Sequence, residues 1–504
     1  MKRPYPLHLL FFAAYPVLFL YSVNFDTAPF VDVLPCLGVT LAVAAAGWGL
    51  LTLMLKNLSM AALLTSLFCI WFFSCGHIHS FIYYSSDIGH SVGRFRYFLP
   101  PWTALGGAAA WLLLRKRSEE KTSKFVKVAN ILGAVLVVSA MIVIASGVFK
   151  GDAGEAPDSQ KVTMQVAEGE RQPDIYYILP DAYTRSDVLK EEYGYDNQPF
   201  IDDLTSKGFF IPSESCSNYS YTCLSLPSTL NMDYLQNLKV GNRLDKRQDM
   251  VLDSAVARFL KSRGYKLVYV NTLGKLLVGH YLEDDLRRSL HGRFWVMLLS
   301  TTAAKPLASA ISIKQQRSSV LRGFQSLEEA IDIQGPKFVF GHILCPHPPF
   351  VFRADGGEVF LDNVDPRLGK GSSLEELYAG QVAYVNSRLE KLVERIIEHS
   401  ETPPVIVIQA DHGSGFIHDF NLYLDKPPCD EFLRKQIYIF SALRLPGKGR
   451  DEVYDSITPV NTFRVIFNRC FKVEIPLLED RCYYSNKKTP AVFLDVTERL
   501  RAGD

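Results

Sequence analysis

The chain carries almost no net charge. Its 54 lysines and arginines stand against 53 aspartates and glutamates, which leaves +1. That balance excludes nucleic acid as the main partner, because no basic excess is available to neutralise phosphates. Internal repeats and low-complexity tracts are also missing, so the fold is not a solenoid or a disordered array. A secretory cleavage site is absent as well. The first apolar run follows Lys2 and Arg3 but ends in Ser22-Val-Asn-Phe-Asp26, without a small-x-small pattern. It reads as a retained membrane segment rather than a removed signal.

Long apolar runs are present, and they are confined to one end of the chain. A bilayer needs roughly 20 mostly apolar residues per helix. Five windows qualify: 7–23, 33–55, 60–84, 97–114 and 128–149. Residues 1–150 therefore read as a transmembrane bundle of about five spans. Orientation follows from the short-loop cations. With five spans, Lys2 and Arg3, Lys56, and the group Arg115, Lys116, Arg117, Lys121, Lys124 and Lys127 all fall on one side, which is then the cytoplasmic one. Asp26 and Asp87 fall on the other; Arg94 and Arg96 depart from the rule, as headgroup-level cations can. Residues 151–172 are polar and read as a linker. Residues 173–504 then form one extracytoplasmic domain, feasible in size as a single α/β unit.

Six of the nine cysteines lie in this outer domain: Cys216, Cys223, Cys345, Cys429, Cys470 and Cys482. An even number on the oxidising side suggests disulfides, with 15 pairings open. The shortest loops to close are Cys216 with Cys223 and Cys470 with Cys482.

Short apolar runs at 174–179, 265–270, 337–343, 404–409 and 436–445 read as buried strands. Helical patterns at 251–263 and 374–399 fall between them, and 461–471 reads as a packing helix. The alternation predicts an α/β domain with a mostly parallel central sheet flanked by helices. Ligand sites in such sheets lie beyond the carboxyl ends of the strands. Asp181 follows the first strand, Asp411-His412-Gly413 follows the fourth, and His342 and His347 close the third. Each signal alone is weak, since Asp after a strand is usually a turn or cap. Together, three strand ends deliver Asp and His to one sheet edge, and these are ligands for zinc or manganese. The segment Asn218-Tyr-Ser-Tyr-Thr222-Cys-Leu-Ser225 is rich in hydroxyls before an apolar run. It reads as a capped helix start. A hydroxyl there, beside a cation, is also a candidate nucleophile.

On these residues the outer domain resembles the alkaline phosphatase/sulfatase superfamily. It is most similar to the membrane-bound branch of lipoteichoic acid synthases and lipid A phosphoethanolamine transferases. The resemblance spans the architecture of the whole chain and, in motifs, residues 173–415. It implies that Asp181, Thr222, Asp411 and His412 ligate a divalent metal, zinc or manganese. Thr222, in Thr222-Cys-Leu-Ser-Leu-Pro227, matches the family nucleophile in Thr-Ala-Leu-Ser-Val-Pro. His347 matches the histidine that contacts the phosphoryl group, and His418, at a shorter spacing, stands for a further histidine after Asp-His-Gly. His342, His347 and His418 are then substrate-binding, and Thr222 and His347 catalytic. There are departures. Asp181 stands where both transferase groups have Glu, and Ser414 follows Asp-His-Gly where the phosphoethanolamine transferases have Glu. A sulfatase would need Cys/Ser-x-Pro-Ser-Arg; Ser225-Leu-Pro-Ser228 is followed by Thr229.

The implied activity is transfer of a phospholipid-derived phosphoethanolamine or phosphoglycerol group to a glycan or glycolipid through a phospho-threonine. The membrane is then a partner, with the catalytic domain outside the cytoplasm. The alternatives are a sulfatase-like phosphodiesterase or sulfate ester hydrolase, and a non-catalytic degenerate domain.

Overall fold

The computed structural model describes residues 4–24, 30–85, 95–115, 119–150, 172–238, 250–270, 276–278, 293–359, 373–415, 427–447, 452–486, 489 and 491–502. The predicted linker at 151–172, apart from Gln172, lies outside these residues, as does His418. In chain order the first helices are α1 (His8–Ser22), α2 (Phe30–Leu55), α3 (Leu58–Ser85), α4 (Phe95–Arg115) and α5 (Glu119–Lys150). Then come β1 (Ile175–Pro180), α6 (Ser186–Tyr193), α7 (Gln198–Ser206), α8 (Thr222–Asn231), α9 (Ala255–Ser262), β2 (Lys266–Val270) and β3 (Leu276–Val278). They are followed by α10 (Arg293–Ser300), α11 (Lys305–Ile331), β4 (Lys337–Ile343), α12 (Leu374–His399), β5 (Val405–Gln409), α13 (Asp430–Ile437) and β6 (Ser441–Arg444). The chain closes with α14 (Pro459–Phe471), β7 (Tyr483–Tyr484), β8 (Leu494–Asp495) and α15 (Thr497–Arg501).

The chain falls into two compact units. One takes in Met1–Glu155 and Arg287–Ser312; the other takes in Ala156–Leu286 and Ile313–Asp504. Each of the five apolar windows has its helix in the first unit. Among the described residues, three helices are long and apolar enough to cross a membrane: Phe30–Leu55, Leu58–Ile82 and Glu119–Ser146. Helix α1 is apolar but has only 15 residues, about 22 Å against a hydrocarbon core of roughly 30 Å. Helix α4 interrupts its apolar run with Arg96, Pro100, Pro101 and Arg115.

The sequence reading had placed residues 287–312 in the outer domain; the structure groups them with the membrane helices. Phe294 and Leu298 of α10 are buried among Val17, Leu20, Tyr21, Val33 and Cys36. The following turn lies along α3. Gly76 N–H donates to Thr301 O (3.0 Å), and Ala303 N–H donates to Phe72 O (2.9 Å). Glycine is required there, because a Cβ on Gly76 would run into the Thr301 backbone.

The second unit is built on a six-stranded sheet in the order β3-β2-β4-β1-β5-β6. The inner pairs are parallel and the two edge strands, β3 and β6, antiparallel. Both faces of the sheet are covered, which explains the unbroken apolar runs. Tyr176 and Ile178 of β1 point into one core with α11 and α12. Ile175, Tyr177 and Leu179 point into the other, with Phe463, Ile466 and Phe467 of α14. This alternation is the period of two that a strand dictates. Helix α12 begins with a capping box: Ser373 Oγ accepts from Glu376 N–H, and Glu376 accepts from Ser373 N–H. The predicted strand at 436–445 is shorter than expected. Gln436 and Ile437 end α13, and only Ser441–Arg444 forms β6.

Candidate active site

Three strand ends meet as the sequence predicts. Asp181 directly follows β1, and its N–H donates to Ile343 O at the end of β4 (2.9 Å). His342 is paired across the sheet with Leu179. Asp411 follows β5 by one residue, and its Oδ1 accepts from Ala182 N–H (3.3 Å). Asp181, His342 and Asp411 each offer a ligand atom, all within 4.8 Å of one another. The sequence reading put His342 with the substrate; the structure sets its Nε2 on Asp181 Oδ2 at 2.9 Å.

The Asp-His-Gly turn is shaped by close backbone packing. Gly413 N–H donates to Gln436 O (2.8 Å). A Cβ at Gly413 would collide with the Lys435 and Tyr438 carbonyls. His412 Nδ1 donates to Gly413 O (2.8 Å), which turns Nε2 toward the carboxylates. That Nε2 lies 3.6 Å from both Asp181 Oδ1 and Asp411 Oδ2. His347 N–H donates to Asp181 O (3.0 Å), and its ring centroid is 6.4 Å from that of His412. Its Nδ1 donates to Pro348 O (2.6 Å).

Charge is concentrated here. Burial alone would raise the Asp181 carboxyl, but the neighbouring His347, His342 and His412 outweigh it and hold Asp181 well below the usual carboxylate range. Burial would lower His342; its hydrogen bond to Asp181 and the nearby Asp411 raise it instead. Asp181 Oδ1 and Asp411 Oδ2 are buried with no hydrogen-bond partner among the described residues. An ionised oxygen without a partner is costly inside a protein. Two such oxygens, facing an imidazole nitrogen with its proton on the far side, form a donor set that fits a divalent cation.

Thr222 is the first residue of α8, after Tyr221 as cap. Two residues before it, Ser220 is tied to the Asp-His-Gly turn by Gln436, a buried residue that the sequence does not single out. Gln436 Nε2 donates to Ser220 O, while its own carbonyl takes Gly413 N–H. One residue therefore ties the segment entering α8 to the Asp-His-Gly turn. Ser414 is buried, and its Oγ accepts from Tyr193 OH (2.7 Å). A fold contact therefore occupies the position where the transferases have Glu.

The Sulfatase family model matches residues 173–458, more than half of the chain. The chain belongs to the sulfatase family. Solved structures similar to this sulfatase-family chain include the periplasmic domain of EptC from Escherichia coli in complex with zinc. That match has 13% identity and a TM-score of 0.45, covering 68% of this chain and 97% of that one. Another is the integral membrane lipooligosaccharide phosphoethanolamine transferase EptA from Neisseria meningitidis. It has 12% identity and a TM-score of 0.37, covering 87% of this chain and 88% of that one. A phosphonate monoester hydrolase of Agrobacterium radiobacter has 13% identity and a TM-score of 0.39, covering 62% and 80%. No curated protein sequence matches the chain.

Proposed function

We propose that this protein is a membrane-anchored, metal-dependent transferase. It moves a phospholipid headgroup phosphate, as phosphoethanolamine or phosphoglycerol, to a glycan or glycolipid hydroxyl outside the cytoplasm. The observation that supports the reading is a buried Asp/His cluster whose Asp-His-Gly turn is tied by Gln436 to Ser220, two residues before Thr222 at the amino end of α8. Membrane-length helices in the same chain support a lipid donor.

Asp181, His342, Asp411 and His412 would hold the cation, zinc or manganese, with Thr222 completing the set. When bound, the cation lowers the pKa of a nearby hydroxyl and offsets phosphodiester charge. The Thr222 oxygen bonds to phosphorus as the bond from phosphorus to the diacylglycerol oxygen breaks. The proton that leaves the Thr222 hydroxyl passes by way of His347 to the diacylglycerol oxygen. The amino end of α8 favours the anion under attack. The acceptor hydroxyl then bonds to phosphorus, the bond to Thr222 breaks, and the threonine hydroxyl is restored.

The test uses the full-length protein in vesicles that contain headgroup-labelled phospholipid and a glycolipid acceptor. Label should appear on the acceptor with wild type and be lost with Thr222→Ala, whose thermal unfolding should match wild type. Label released only as free headgroup phosphate would instead identify a hydrolase, with water as acceptor. A fully active Thr222→Ala protein would remove the threonine from the mechanism.

A further inference from the structure

We propose that Cys216 and Cys482 are joined by a disulfide in the mature protein, stapling the segment that enters α8 to the C-terminal part of the outer domain. Both cysteines are free thiols in this structure, and neither of the short-loop pairs suggested by the sequence is bonded. The Cys482 side chain instead neighbours that of Cys216.

The backbones around the two thiols are fixed independently of them. Tyr483 N–H donates to Asn218 O (2.9 Å), and Asn218 Nδ2 donates to Arg481 O (2.8 Å). Tyr219 pairs in parallel with Tyr483, and Cys216 bridges Tyr438 on its other side. Cys482 N–H donates to Thr497 Oγ1 (3.0 Å), and its carbonyl accepts from Val496 N–H (3.0 Å). Two segments far apart in sequence are thus held side by side with one cysteine on each, the placement from which a disulfide can close. The clamp continues toward the active site, where Ser485 N–H donates to Ser220 Oγ (3.1 Å), two residues before Thr222.

The bond would close a loop longer than half of the chain, where the loss of unfolded-state freedom is largest. Its chemistry is thiol exchange with a disulfide oxidant. Cys216, the half-buried and more accessible thiol, attacks the oxidant's disulfide and releases one oxidant thiol. Cys482, which is buried, then attacks the Cys216 sulfur and releases the second. Two electrons and two protons pass to the oxidant. The proposal rests on the outer domain facing an oxidising compartment.

The test quenches whole cells in acid and alkylates free thiols before the full-length protein is purified and digested without reductant. A disulfide-linked peptide pair holding Cys216 and Cys482 is expected, lost on reduction and absent from Cys482→Ser. Cys216→Ser, Cys482→Ser and the double variant should each lower Tm by the same amount, roughly 5 °C. Recovery of both cysteines alkylated, or additive losses of Tm, would overturn the proposal. Equilibrating alkylation-free protein with oxidised glutathione then locates the error. Linkage formed there means the domain faces a reducing compartment; no linkage means the thiols do not meet.

Discussion

Asp181 and Asp411 pose the sharpest energetic problem in the molecule at the scale of single residues. Two buried carboxylates face each other, and each keeps an oxygen with no hydrogen-bond partner among the described residues. Without a cation this arrangement costs stability, since buried like charges repel and unpaired polar atoms cost about 1–3 kcal/mol each. With a cation at 100 times its Kd, the same groups gain about 2.7 kcal/mol. The two states therefore respond oppositely to Asp411→Asn. Wild type should lose roughly 5 °C of Tm when a chelator is added. Asp411→Asn should show almost no chelator effect, and in chelator it should melt at or above wild type. Equal chelator shifts in both proteins would contradict the assignment of Asp411 as a ligand. These ligands were legible because each follows an apolar strand by one or two residues. Gln436 was not. Its role exists only through contacts with Gly413 and Ser220, the latter 216 residues away in the chain, and nothing local marks it among the polar residues of α13.

At the scale of elements, the loop that carries His347 is held by one side chain of α12. Gln381 is fully buried. Its Nε2 donates to Pro346 O (2.9 Å) and His347 O (3.2 Å). Its Oε1 accepts from Val351 N–H (2.7 Å) and Phe352 N–H (3.3 Å). Gln381→Leu strips all four backbone groups of a partner, for about 2–5 kcal/mol in sum. It should lower kcat by tenfold or more by freeing His347, while the chelator-sensitive part of Tm survives because Asp181, His342 and Asp411 stay on their strand ends. Gln381→Glu keeps the two acceptor contacts and should recover part of the loss. An unchanged kcat in Gln381→Leu would show that the loop is positioned by other means. The four inner strands and the helices that cover them were readable, because burial on both faces leaves an apolar run with sharp ends. The strand at 436–445 misled because Ile437, Tyr438, Ile439 and Phe440 are all buried. Burial of that kind looks the same in a helix end, a bridge and a strand. Gln381 reads from the sequence only as a polar position in an amphipathic helix.

At the scale of the whole molecule, the chain leaves the membrane unit after α5, returns to it for residues 287–312, and leaves again within α11. Hydropathy could not separate that return from the surrounding domain. Helix α10 has only eight residues, too few to register as a span, and its partners lie far away in sequence. The place where it docks is informative. Its cluster joins Val17, Leu20 and Tyr21 near the end of α1 with Val33 and Cys36 near the start of α2, and Phe73 and Ile144 pack against it late in α3 and α5. In an up-and-down bundle these positions all belong to one end. A fragment of residues 173–504 would carry Phe294 and Leu298 without the helices that bury them. It should bind detergent and elute from size exclusion as an aggregate when detergent is removed, whereas Phe294→Asp with Leu298→Asp should elute as a monomer. In the full-length protein the same pair of substitutions buries two charges in an apolar cluster. Loss of the folded membrane unit, read as protease sensitivity of the helices in vesicles, is the expected outcome, and full resistance would show that α10 does not dock there.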